Sequence, residues 1–183
     1  GHSDVVAGLA VTNDPKLAEQ LAFLQNSIGS TLGPDDSWLL QRGIKTLNAR
    51  MRVHQENANA VIDFLQNNPY IAKIYYPDLK NFPGHEIAAK QMKNFGAMIS
   101  FELQSGLDVK KFVENLELIE LAESLGGIES LIEVPAIMTH GSIPRSIRLK
   151  NGIKDELIRL SVGIEDPVDI IDDLKQALIN LDK

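Results

Sequence analysis

The segment Glu156–Asp166, ELIRLSVGIED, alternates so that Ile158, Leu160, Val162 and Ile164 share one face of an extended strand while Leu157, Arg159, Ser161 and Gly163 share the other. A guanidinium carried on such a strand has two uses. Its stem can cover a neighbour while its head reaches solvent, or the head can grip a carboxylate through two parallel hydrogen bonds. The residues that follow Arg159 on its own face, Ser161 and Gly163, are small and predict open space beside the guanidinium, where an anion would fit.

Other residues with chemical potential are less specific. In AESLGGIES, Ser124 and Leu125 precede Gly126 and Gly127, and glycines let a ligand approach the backbone closely; a plain helix C-terminus explains the pair equally well. MTHGS places Thr139, His140 and Ser142 together, yet a serine nucleophile needs a base and a third orienting group that meet in space, which local adjacency does not supply. The four histidines, His2, His54, His85 and His140, are far apart and no H-E-x-x-H motif or paired carboxylate accompanies them, so no metal site is supported. Neither a Walker motif nor G-x-G-x-x-G occurs. GHSD at the start either orders a loop through His2, Ser3 and Asp4 or forms a turn ahead of a strand.

Composition narrows the class. With 183 residues, 44% of them hydrophobic and 23% charged, the chain can bury a core. Eighteen basic against twenty-five acidic residues give a formal charge of −7, and no Lys/Arg run is long enough to track phosphates, which argues against nucleic acid. Cysteine is absent, so disulfides and thiolate metal sites are excluded and a reducing cytosol is the default expectation. No apolar stretch reaches the roughly 18–20 residues of a membrane span, and the first residues lack a basic signal-peptide region. The chain lacks an initiator methionine and enters an apolar run within its first residues, as the middle of a longer protein would.

The elements that must position Arg159 follow from local signals. DVVAGLAVTN predicts a strand, and Asp14 as cap with Pro15 at the first position predicts a helix closed by Gly29. Gly33 and Pro34 mark a turn before a cap at Asp36 or Ser37, and the stripe Trp38, Leu40, Ile44, Leu47, Met51, Ala58, Ile62, Leu65 predicts one long helix to Asn67. YIAKIYYP and GAMISFEL predict strands around a short helix at HEIAAKQM; DVKKFVENLELIELAESLGG predicts a helix, and ESLIEVPAIM a strand. A final helix starts at Asp166 and Pro167 with Ile170, Leu174 and Leu178 inward. Strands interleaved with helices after residue 70 indicate an α+β domain.

Taken together and in order, GHSDVVAG, FLQNSIG, RGIKTLNARM, YYPDL, LAESLGGIESLIEVPAIMTH and LIRLSVGIED resemble the pyridoxal-phosphate enzymes of cysteine and methionine metabolism, over nearly the whole chain. Within that family the chain looks like a cystathionine gamma-lyase or gamma-synthase. The resemblance implies an α/β fold, the C-terminal part of a fold-type I pyridoxal-phosphate-dependent transferase. Residues 1–50 would be the end of the large cofactor domain, and residues 51–183 the rest of the connecting helix and a small C-terminal α+β domain.

The resemblance also implies roles. Arg159 matches the arginine that holds the substrate's α-carboxylate. Ser124 and Leu125 match residues bordering the cofactor lysine and that carboxylate, Glu123 a position facing the distal end of the substrate, where a carboxylate suits the far ammonium of cystathionine, and Thr139 a threonine near the same pocket. The lysine that carries pyridoxal 5'-phosphate is expected just upstream of Gly1, so no catalytic residue and no cofactor-binding residue is assigned within the 183. The implied reaction is γ-elimination from an amino-acid substrate by a cytoplasmic homotetramer; γ-replacement, or a catalytically inert amino-acid-binding fragment, are the alternatives. Without the resemblance, a structural interaction domain in which Arg159 is only a surface residue also stands.

Overall fold

Asp14 and Pro15 begin the first helix as their types require. The Asp14 carboxylate accepts the backbone N–H groups of Lys16 and Leu17 at 2.8 and 3.3 Å, helix α1 runs Pro15–Ile28, and Gly29 ends it in the left-handed region at φ 77°. Helix α2, Pro34–Lys45, places Pro34 at its first position with Gly33 as cap, so the cap precedes the expected Asp36 or Ser37, which lie inside the helix. The single long helix is also two. Thr46, at φ −105° and ψ 3°, turns its N–H back to the carbonyls of Gly43 and Ile44 before α3, Leu47–Gln66, begins.

The computed structural model describes residues 1–182, and the chain falls into two units, residues 1–47 and residue 48 onward. In the first unit the expected strand at residues 4–13 is irregular and almost wholly exposed. A strand exists through hydrogen bonds to a neighbour, and the described elements of this unit are helices, so an extended apolar run finds no ladder there.

The second unit carries a five-stranded mixed sheet: β1 Ile71–Tyr75, β2 Met98–Leu103, β3 Glu120–Leu121, β4 Leu131–Glu133 and β5 Leu157–Ser161, in the order β1-β2-β5-β4-β3. All pairings are antiparallel except β3 with β4. Helices α4 His85–Gln91, α5 Val109–Glu114, α6 Arg145–Lys150 and α7 Pro167–Ile179 complete it. The alternation of β5 holds: Ile158 and Leu160 are fully buried, and they join Ile99, Phe101 and Ile132 of the neighbouring strands in one apolar cluster with Val61 and Leu65 of α3, Phe112 of α5, and Ile170, Leu174 and Leu178 of α7. Each such side chain contributes about 1.5–3 kcal/mol of burial.

Between α5 and β4 the expected helix does not continue to the glycine pair. Asp173 of α7, 6% exposed, accepts the N–H groups of Glu117, Leu118 and Ile119 at 2.8, 3.0 and 2.9 Å. Those donors would otherwise serve a helix; captured, they turn the chain into β3, beyond which residues 122–130 form an irregular loop. Helix α6, which no sequence signal announced, is held by the buried Arg148, whose guanidinium donates to the Ile153 carbonyl at 2.9 Å and pairs with Asp155 at 2.5 Å. Among the described residues no helix is long and apolar enough to cross a membrane, and no three His, Cys, Asp or Glu side chains converge as a metal would need.

Candidate substrate-carboxylate site

Arg159 sits on the central strand of the sheet, with Ser100 of β2 and Glu133 of β4 as its ladder partners. Neighbours in register lie on one face, so Glu133 meets the guanidinium from the side: Nη1 is 3.1 Å from Glu133 Oε1. The other terminal nitrogen, Nη2, donates to the backbone carbonyls of Glu123 and Ser124 at 2.9 and 3.2 Å. The arginine side chain is 23% exposed and that of Glu133 2%. Nε has no partner among the described residues.

A network of short bonds brings the 123–130 loop to that position. The Gly126 N–H donates to Ser161 Oγ at 2.8 Å, the Ile164 N–H to the Ile128 carbonyl at 2.8 Å, and the Gly163 N–H to Ser130 Oγ at 2.8 Å. Ser130 in turn donates its N–H and hydroxyl to the Glu165 carboxylate at 2.5 and 2.9 Å. From the opposite side, His54 Nδ1 lies 2.7 Å from the Val162 carbonyl, and Asn57 Nδ2 donates to the carbonyls of Gly163 and Glu165 at 3.1 and 2.7 Å. The open space expected beside Ser161 and Gly163 is therefore filled by backbone. A Cβ on Gly163 would overlap the Ile128 carbonyl and Glu129, so the glycine is required for close approach rather than for ligand room. Gly126, at φ 72°, makes a left-handed turn two residues after Ser124.

Of the residues named from sequence, Glu123 and Ser124 reach Arg159 through their main chains. The Glu123 side chain is exposed and its carboxylate has no partner among the described residues. Leu125 is 54% exposed beside them. Thr139 joins the cluster indirectly: its hydroxyl donates to Glu133 Oε1 at 3.3 Å and lies 2.9 Å from His140 Nδ1. His140 is thus tied to a threonine and a carboxylate, with no serine in that chain. Glu133, by contrast, carries no functional motif of its own. Its signal is an acid inside the apolar run LIEVPAIM, and a buried carboxylate on an interior strand asks for a cation across the ladder.

The same face of the sheet holds a second charged group. Tyr75 donates its hydroxyl to Glu102 Oε1 at 2.5 Å, and Lys154 Nζ pairs with Oε2 at 2.7 Å. Burial pushes the Glu102 carboxyl up, but hydrogen bonds from Lys154 and Tyr75 and the charges of Lys154 and Lys73 together outweigh it and hold it below the usual range. Burial, followed by the Glu102 carboxylate, pushes the Tyr75 phenol up.

Residues 1–179 match the family described as Cys/Met metabolism PLP-dependent enzyme. The chain belongs to that family. It is 61% identical over 178 residues to a cystathionine beta-lyase of Lactococcus lactis subsp. cremoris (strain MG1363), covering 97% of this chain and 47% of the relative. With a cystathionine gamma-lyase of Bacillus subtilis (strain 168) the figures are 56% over 181 residues, covering 99% of this chain and 48% of the relative. Among solved structures, a cystathionine gamma-lyase from Lactobacillus plantarum complexed with L-serine superposes with a TM-score of 0.93 at 56% identity, over 100% of this chain and 48% of that one. A cystathionine gamma synthase from Xanthomonas oryzae pv. oryzae in complex with cystathionine gives 0.92 at 48%, over 100% of this chain and 47% of that one. The chain thus spans about half the length of its relatives. The α/β fold is that of part of these pyridoxal-phosphate-dependent proteins.

The family's cofactor does not fit the Arg159 cluster. A phosphate dianion asks for several convergent donors, whereas here a single guanidinium already faces Glu133 and the Gly126 amide of the neighbouring loop is spent on Ser161. The remaining N–H groups of the arginine suit a carboxylate.

Proposed function

We propose that the full protein is a pyridoxal-phosphate-dependent carbon–sulfur lyase that cleaves cystathionine by γ-elimination, with residues 1–50 closing its large domain and residues 51–183 forming the rest of the connecting helix and the small domain. Arg159 binds the α-carboxylate of the substrate. The observation that carries this assignment is the hold on the guanidinium by Glu133 and by the carbonyls of Glu123 and Ser124, which fixes it while leaving N–H groups for a ligand. A planar donor held in this way orients an amino acid as well as attracting it. The exposed carboxylate of Glu123 receives the distal ammonium of a long diamino substrate, and Ser124 and Leu125 border the same ligand. Thr139 supports the carboxylate side through Glu133. The cofactor's lysine and phosphate ligands are assigned to the half of the protein outside this chain, and the assembly to a cytoplasmic homotetramer.

Two specific observations keep other outcomes in play. Relatives named beta-lyase reach 61% identity, and a gamma synthase superposes with a TM-score of 0.92. Product analysis separates them. Breaking the bond between sulfur and the γ-carbon of cystathionine yields cysteine, 2-oxobutanoate and ammonia; breaking the one to the β-carbon yields homocysteine, pyruvate and ammonia. The full-length protein should release cysteine and 2-oxobutanoate from cystathionine. Homocysteine and pyruvate would replace this reading with β-elimination, and turnover only with an activated homoserine and a thiol would replace it with γ-replacement.

A further inference from the structure

Glu133 is a buried carboxylate with half of its bonding capacity unused. Oε1 faces Arg159 Nη1 at 3.1 Å and receives the Thr139 hydroxyl at 3.3 Å, while Oε2 is buried without a hydrogen-bond partner among the described residues. Its chain neighbours Leu131, Ile132 and Val134 are 5%, 0% and 2% exposed. An apolar side chain there would avoid the desolvation of a charge, and replacing a buried ion pair by apolar groups is often neutral or stabilising. The acid therefore needs a reason other than stability.

We infer that Glu133 is a positioning residue: it sets the rotation of the Arg159 guanidinium, and so the edge that a carboxylate meets. Strand register brings the two together, because Glu133 and Arg159 are ladder partners and the short glutamate meets the arginine from the side. The carbonyls of Glu123 and Ser124 hold Nη2 while Glu133 holds Nη1, and contacts at both terminal nitrogens define the plane of a rigid fork as well as its location. Without Glu133 the head would pivot on Nη2 alone. Charge points the same way: Glu133 offsets the arginine, so the pair selects a ligand by geometry rather than by attraction for any anion. Thr139, 2.9 Å from His140 Nδ1, donates to the same Glu133 oxygen that faces the arginine and so braces it.

This rests on the reading of Arg159 as a carboxylate clamp, and the experiment keeps the two separable. In the full-length protein, dissociation constants for L-serine and for L-serinamide, which lacks only the carboxylate, give a discrimination ratio for the unsubstituted protein, Glu133→Gln, Glu133→Ala, Arg159→Lys and the Glu133→Ala/Arg159→Lys double variant. The ratio should fall about tenfold in Glu133→Ala and by less in Glu133→Gln, and should fall no further when Glu133→Ala is added to Arg159→Lys. A loss of packing alone would weaken both ligands equally and leave the ratio unmoved. An unchanged ratio in Glu133→Ala, or an equal fall in the Arg159→Lys background, overturns the inference. Where thermal unfolding shows that Glu133→Ala does not fold, Glu133→Gln decides by the same ratio. A protein that discriminates the two ligands but does not cleave cystathionine refutes the proposed reaction and leaves the role of Glu133 standing; one that does not discriminate them refutes the clamp and this inference together.

Discussion

On one face of the sheet Ile99, Phe101, Ile132, Ile158 and Leu160 have no exposed surface, and α3, α5 and α7 supply the apolar side chains they pack with. One residue along each strand, Ser100, Glu102, Glu133 and Arg159 lie on the other face, and three of these four carry ion pairs. The same alternation serves both: the first face contributes stability through area removed from water, the second contributes little stability but fixes where charged heads stand. Substitutions should divide accordingly.

The largest expected loss is on the apolar face. Phe101→Ala removes a fully buried ring that meets Phe112 edge-on at 6.3 Å and should cost about 3–5 kcal/mol in urea unfolding. Asp173→Ala comes next. It leaves the N–H groups of Glu117, Leu118 and Ile119 without their acceptor, a cost of about 3 kcal/mol, and should raise amide exchange in residues 117–121 before the rest of the sheet.

Those two residues mark what the sequence made legible. Phe101 lies in an alternating strand and α7 opens on Asp166 and Pro167, signals complete within a few neighbours. The end of α5 depends on a carboxylate more than fifty residues away, which no neighbour in the helix-like run signals. The pairing of Arg159 with Glu133 depends on strand order in the same way, and the identity of Arg159 as a candidate was visible while its partner was not. Residues 4–13 failed for the converse reason: strand-like composition without a strand beside it. A small residue such as Gly163 signals space in the sequence but not what fills it, and here the space holds backbone.

A smaller effect belongs to the polar face. The Glu102 carboxyl is held below its usual value near 4.5, so its contribution to stability is complete above that value and is lost as pH falls through the lower folded value. Thermal midpoints measured from neutral into acid should fall in that window, and Lys154→Met should shrink the difference, because the lysine's hydrogen bond and charge both hold Glu102 down. A pH profile unaltered by Lys154→Met would remove this group from the account. The smallest change in stability is expected for Arg159→Lys: a cation still faces the buried Glu133, and what is lost is donation to the Glu123 and Ser124 carbonyls, at about 1 kcal/mol.

That small effect on stability is what makes Arg159→Lys decisive for function. The steady-state constants of the full-length protein on cystathionine should fall about a hundredfold in kcat/KM while the thermal midpoint barely moves, since a point ammonium cannot reproduce an oriented two-pronged donor. An unchanged kcat and KM in a folded Arg159→Lys protein would contradict the claim that this strand arginine holds the substrate.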